Sequence, residues 1–147
     1  MITGINITEI VEALFELSMI VMVGLYFIFS NTIMRTLAMR SDGANVMNDI
    51  NKDILNPIFL GGFVLSGVAG LYFLLFESNA KSVAGGIFFI GTTLVTVTRS
   101  VPLNNLLRDS SGDNIAQVWQ RYLDKWVFWN HVRSASAIIA GFLLALD

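Results

Sequence analysis

The sequence predicts an all-α protein, a four-helix transmembrane bundle with antiparallel, up-down-up-down order. Two observations carry this expectation. The chain of 147 residues is 54% hydrophobic and 14% charged, whereas soluble domains carry about 25% charged residues. Three stretches, residues 17–34, 58–76 and 82–98, hold no charged side chain over 18, 19 and 17 residues, close to the roughly 20 residues that a spanning helix needs. A fourth, about residues 123–146, is interrupted by Lys125, His131 and Arg133.

The first helix is expected over about residues 8–38, capped by Asn6 or Thr8. Glu9 and Glu12 fall in its first turns, where carboxylates suit the positive end of the helix dipole. The first loop carries the turn signal Ser41-Asp42-Gly43 and then a polar helical stretch. Asn56-Pro57 opens the second helix, about residues 57–77, because the residue before proline resists helix and proline fits a first turn. Gly62, Ser66 and Gly70 recur there at four-residue spacing, a small-residue face suited to close helix contact and to a homo-oligomer or a larger membrane complex. Glu77 to Lys81 is a tight connection to the third helix, about residues 82–105. Asp109-Ser-Ser-Gly-Asp113 is a loop, and the fourth helix covers about residues 115–146.

Orientation follows from the cationic residues, which concentrate in cytoplasmic loops. Arg35, Arg40 and Lys52 fall in the first loop and Arg108, Arg121 and Lys125 in or beside the third. The other side has Lys81 alone, with Glu9, Glu12, Glu77 and Asp147. Both termini are therefore expected on the non-cytoplasmic side.

Several function classes drop out. Net charge is −2, so nothing points to nucleic acid. With no cysteine and one histidine, disulfides, thiol catalysis, thiolate metal sites and a bis-His haem within one protomer are excluded; no metal site is expected. The amino terminus lacks a basic region, and Ile2 rules out myristoylation. Membrane lipid is the expected surrounding.

The tail after Arg133 is too short to cross a bilayer, so the fourth helix must draw Trp119, Tyr122, Trp126, Trp129, Asn130, His131 and Arg133 towards the membrane interior. Such residues are costly there and point to function. Asn56, Arg99, Asn104 and Asn105 come from the other helices to the same cytoplasmic end, and convergence of this kind makes a pocket between helices. At about 100° per residue, Trp119, Tyr122, Trp126, Trp129, Asn130 and Arg133 share one broad stripe, with His131 a quarter-turn or more away. The stripe suits a pocket with aromatic walls and an Arg floor; the bland reading is an interfacial aromatic belt with a snorkelling arginine. Arg99 reads as a cation for an anionic ligand oxygen or as a snorkelling surface residue. Glu16, about 10 Å inside the first helix, and Arg133, about 15 Å inside the fourth, are candidates for a buried ion pair, the alternative being a solvated acidic stripe on helix one. His131 is the side chain best suited to proton abstraction near neutral pH, although a lone histidine in a span also serves simply to bond a neighbouring helix.

Three segments, Asp49-Ile-Asn-Lys-Asp-Ile-Leu-Asn-Pro-Ile-Phe59, Val101-Pro-Leu-Asn-Asn105 and Trp119-x2-Tyr122-x3-Trp126-x2-Trp129-Asn-His-Val-Arg133, resemble the anthrone-oxygenase-like family of small four-helix membrane proteins, from about residue 24 to residue 145. The resemblance implies oxidation of anthrones, tricyclic phenols, to anthraquinones by molecular oxygen with no cofactor. It directs attention to Asn56, Asn104, Trp126, Asn130, His131 and Arg133. The family usually has Asn where this chain has Ser100, after Arg99. The expected ligand is thus a hydrophobic aromatic small molecule, phenolic or quinol-like, with His131 and Arg133 as catalytic residues and Asn56, Arg99, Asn104, Tyr122, Trp126, Trp129 and Asn130 as its binding residues. The alternative is a non-catalytic membrane module, a small-molecule carrier or accessory subunit whose polar network only sets helix register. A proton or ion path through Glu16, His131 and Arg133 ranks last, since helices two and three continue no such path.

Overall fold

The structure, a computed structural model, describes Gly4 and residues 6–146. Met1, Ile2, Thr3, Ile5 and Asp147, read above for targeting signals and terminal charge, lie outside the described residues. The described chain is helical, without strands. The elements are α1 (Ile7–Ala38), α2 (Gly43–Asp53), α3 (Pro57–Phe76), α4 (Asn79–Arg108) and α5 (Ile115–Ala145). Four of them, all but α2, are long and apolar enough to cross a membrane.

The helix starts have local causes. Asn6 rather than Thr8 caps α1: its side-chain oxygen accepts from the Glu9 N–H at 2.9 Å, and Glu9 Oε2 accepts from the Asn6 N–H at 3.1 Å. This reciprocal pair satisfies two donors that a helix start leaves orphaned. Asn56 does the same for α3, accepting from the Ile58 and Phe59 N–H groups at 3.1 and 3.0 Å, with Pro57 in the first turn. Its amide also donates to the Asp53 carbonyl at 3.0 Å, joining the end of α2 to the start of α3. The long helices are not uniform. Residues Phe29–Ile33 of α1 and Phe89–Leu94 and Thr96–Ser100 of α4 are π-helical, a widened winding that tends to occur at functional sites.

Helix contacts set the bundle. On α3 and α4, a Cβ placed on Gly85 would lie 2.5 Å from the Gly70 carbonyl oxygen and 2.7 Å from the Leu74 nitrogen, and one on Gly67 would meet Thr93 at 3.1 Å. Higher residues of α4 thus meet lower residues of α3. The same order joins α1 to α5, where Asn130 donates to the Ser30 hydroxyl and Gly141 faces Val23. The small face of α3 is consumed in this packing. Ser66 and Gly70 are buried, Gly70 against Gly85 and Phe89, and Gly62 faces Met22 of α1. The missing side chains let α1 and α4 approach α3 within one chain.

Two apolar cores result. One joins Met19, Met22, Phe73 and Phe88 along the middle of the bundle; the other gathers Phe29, Met34, Leu37, Met47, Leu107, Trp119, Tyr122 and Trp126 at the end where α2 lies. Outside, Ile58, Val64, Val68, Leu75, Ile90, Val97, Phe128 and Phe142 are exposed. So much apolar surface exceeds what water-soluble monomers present.

Candidate functional site

A cavity of about 490 Å³ opens at the α2 end, bounded by α1, α2, the first turn of α3, α4 and α5. That volume suits a drug-sized molecule. Its inner wall includes Tyr26, Phe29, Met47, Ser100, Trp126, Asn130 and Arg133, all buried, and its mouth carries the exposed Asp49, Lys52, Leu55, Val101, Asn105 and Arg108. Arg108 is engaged with Asp109 at 2.8 Å, and that hydrogen bond holds the Asp109 carboxyl below its usual range.

Arg133 dominates the inner end. Its guanidinium lies 4.7 Å from the Tyr26 ring centroid and 5.0 Å from that of Trp126, positions in which an aromatic face attracts a cation. One terminal nitrogen donates to Asn130 Oδ1 at 2.7 Å and the other to Thr96 Oγ1 at 3.2 Å. Asn130, itself 1% exposed, donates in turn to the Tyr26 carbonyl at 3.1 Å and the Ser30 hydroxyl at 2.7 Å. Among the described residues no carboxylate pairs with Arg133. It is a buried, oriented cation whose partners are all neutral.

Unpartnered polar atoms collect around the cavity. Tyr26 Oη, Asn48 Oδ1, Asn51 Nδ2, Ser100 Oγ, Trp126 Nε1 and Arg133 Nε are buried without a hydrogen bond, and all six residues line it; the remaining such atom, Thr93 Oγ1, lies elsewhere. Buried polar atoms are almost always bonded in folded proteins. The Tyr26 hydroxyl lies beside Thr96 and the Asn51 amide beside the Tyr122 hydroxyl, neither in good hydrogen-bond geometry.

The residues expected to form the site divide sharply. Asn104, Trp126, Asn130 and Arg133 line the cavity. Tyr122 stands just behind its wall: its hydroxyl donates to Asn104 Oδ1 at 2.8 Å, and its ring stacks between Trp119 and Trp126 at 5.6 and 5.4 Å. Burial of Trp119 and Tyr122 removes them from any interfacial belt. Arg99 and Trp129 are not in the wall. They form an outer pair, the guanidinium 5.1 Å from the indole, beside Phe128. The inward stripe of α5 is narrower than expected, and at about 100° per residue Trp129 falls on its edge. His131 is exposed on the far side of α5, roughly 140° from the centre of that stripe, and does not reach the cavity. Asn56 caps α3 and is not among the residues that line the cavity.

Glu16 does not meet Arg133. It pairs with Lys81 at 3.5 Å, as Glu12 does at 3.2 Å. Helical side chains lean towards the amino terminus of their helix, so Arg133 reaches back to Asn130 and Trp126, away from Glu16. Tyr26, Asn48 and Thr96 were not among the expected site residues, and Ser100 was named only as a departure from the family's pattern. Their signals were present: a tyrosine inside a charge-free span, a threonine- and serine-rich run before Pro102, and two amides one turn apart in the polar stretch of the first loop.

The family model for anthrone oxygenase matches residues 52–143. No curated protein and no solved structure matches the chain. The matched segment takes in all of α3 and α4 and the aromatic, amide and arginine positions of α5. It spans well over half of the sequence, and the chain belongs to the anthrone oxygenase family.

Proposed function

We propose that this chain is an integral membrane protein of four up-down-up-down spans with both termini on the non-cytoplasmic side, and that its cavity binds a hydrophobic phenolic or quinol-like aromatic for cofactor-free oxygenation. The observation that carries the reading is Arg133, a buried cation with neutral partners at the inner end of an aromatic-walled cavity. A planar ligand packs along Trp126 and Phe29, with its oxygen against Arg133. A preorganised cation in a water-poor site stabilises developing negative charge, so Arg133 favours the ionised, enolate or phenolate form. That electron-rich anion is the reductant of dioxygen. For an anthrone, one oxygen atom becomes the new carbonyl; the other leaves as water with the two hydrogens lost from the reacting carbon. His131 faces away from the cavity and is not the base. Asp49 at the mouth is the lining carboxylate and the group placed to receive the proton through water.

The test is aerobic turnover of anthrone by purified protein in nanodiscs, followed by anthraquinone absorbance. Arg133→Met should lower turnover by about a hundredfold or more, and His131→Ala should leave it within roughly a factor of two. Full turnover in Arg133→Met overturns the oxyanion role.

One observation favours a non-catalytic carrier instead: the buried wall holds no side chain that titrates near neutral pH. Recovery of the bound aromatic unchanged after aerobic incubation would establish that reading.

A further inference from the structure

The pair formed by Arg99 and Trp129 lies outside the cavity, on the outward seam between α4 and α5, and the chemistry above makes no use of it. The Arg99 guanidinium is 5.1 Å from the Trp129 ring, which meets Phe128 edge to face at 5.2 Å. Arg99 is exposed, and among the described residues no carboxylate pairs with it. A guanidinium held by an aromatic ring is fixed in place while its N–H groups stay available to an anion. Lys125, also exposed and without an ion pair among the described residues, precedes Trp129 by one turn of α5, about 6 Å nearer the α2 end. At about 100° per residue it stands roughly 40° from Trp129, whereas the neighbouring Asp124 is turned a further 100° away.

The seam changes character at this level. Deeper along the two helices the exposed side chains are apolar, with Ile90, Leu94 and Val97 on α4 and Phe128, Ile139 and Phe142 on α5. Towards the α2 end cations enter, Arg99 on α4 and Lys125 and then Arg121 on α5. A tryptophan between an apolar surface and cations has the place of a side chain at the edge of the hydrocarbon layer.

Resting on the membrane reading above, we propose that this seam binds an anionic phospholipid. The headgroup phosphate lies between Arg99 and Lys125, the glycerol level against Trp129, and the acyl chains along the apolar surface beyond. Charge-assisted hydrogen bonds of about 2.8 Å on either side of one phosphate cover the rise between the two cations. With two unpaired cations and Asp124 turned away, the seam complements a net negative headgroup and offers nothing to the ammonium of a zwitterionic one. A cationic cleft between helices on the cytoplasmic side is a recurrent form of lipid headgroup site.

The test uses full-length protein in phosphatidylcholine vesicles and titrates in brominated phosphatidylglycerol or brominated phosphatidylcholine, with tryptophan fluorescence as the readout. Trp119 and Trp126 are buried, so quenching reports Trp129, and Trp129→Phe should remove it. The anionic lipid should quench at about a tenfold lower mole fraction than the zwitterionic one. Arg99→Gln with Lys125→Gln should bring the two lipids to within about twofold; quenching by the zwitterionic lipid, retained in this variant, reports that it is folded and inserted. Arg35→Gln with Arg40→Gln removes the same charge elsewhere and should keep the preference, as should an excess of inorganic phosphate at constant ionic strength. Equal quenching by both lipids in the wild type, an undiminished preference in the Arg99 and Lys125 variant, or equal loss in the two double variants overturns the site and leaves the membrane reading standing. Loss of the preference in inorganic phosphate makes a soluble anion the ligand and overturns the lipid site likewise. Quenching by neither lipid overturns the site and the membrane reading together.

Discussion

Arg133 and Asn130 show how two polar side chains are accommodated in an apolar bundle. Each sits one turn from the other on α5, and Asn130 spends its oxygen on Arg133 and its amide hydrogens on Tyr26 and Ser30 of α1. Asn130→Leu keeps much of the volume but leaves an arginine nitrogen, a carbonyl and a serine hydroxyl with fewer partners. Stranding such buried groups costs about 1–3 kcal/mol each. The expected outcome is a lowered midpoint in denaturant titration of the purified protein together with weaker aromatic binding, since Arg133 loses its orientation. Unchanged stability and binding would mean that Thr96 and the two rings hold Arg133 alone. The stripe 119, 122, 126, 130, 133 was readable from the sequence at helical spacing. The exclusion of Trp129 was not, because phase alone places a side chain only to within the width of a neighbouring helix.

At the scale of the element, α4 is held by glycines before and within its first π-helical segment. Gly85 abuts backbone atoms of Gly70 and Leu74 that cannot give way as a side chain would, and Gly91 abuts Ser136 of α5. Gly85→Ala should therefore push α3 and α4 apart and destabilise the protein by roughly 1–3 kcal/mol, as overpacking does elsewhere. Gly61→Ala, where an added Cβ meets nothing within 4 Å, is the matched control and should be neutral or slightly stabilising. Thermal unfolding of the two variants side by side checks the difference. The small-residue spacing of α3 was legible, but not its partner. Gly, Ser and Ala permit close approach without saying whether the approaching helix is in the same chain or another, and here α1 and α4 take the face. The π-helical turns were not legible, since no residue preference along those runs marks them; both segments of α4 lie against α5.

The whole molecule is polar at its two ends in different ways. Six of the lysines and arginines fall in or beside the first and third loops and Lys81 alone on the opposite side, where it pairs with Glu12 and Glu16. Cationic loops tend to stay cytoplasmic, and on the topology proposed above the cavity mouth faces the cytoplasm. The absence of native cysteine makes this direct to test. In sealed right-side-out vesicles, Ser78→Cys should react with an impermeant maleimide, and Ser110→Cys should react only after the membrane is opened. The reverse pattern would invert the topology and bring the cavity to the other side.

Composition and span length by themselves determined the fold class, because four apolar runs of near-bilayer length leave few other ways to bury backbone polar groups. The aromatic and arginine positions of α5 also followed from sequence, since a short tail obliges that helix to carry them inward. Only the tertiary structure decided which polar groups share a cavity. It separated His131, Trp129 and Arg99 from Arg133, gave Glu16 to Lys81, and brought Tyr26, Asn48 and Ser100 to the wall. The physical reason is that depth and helical phase locate a side chain on its own helix, whereas its partner depends on how neighbouring helices rotate and how closely small residues let them approach.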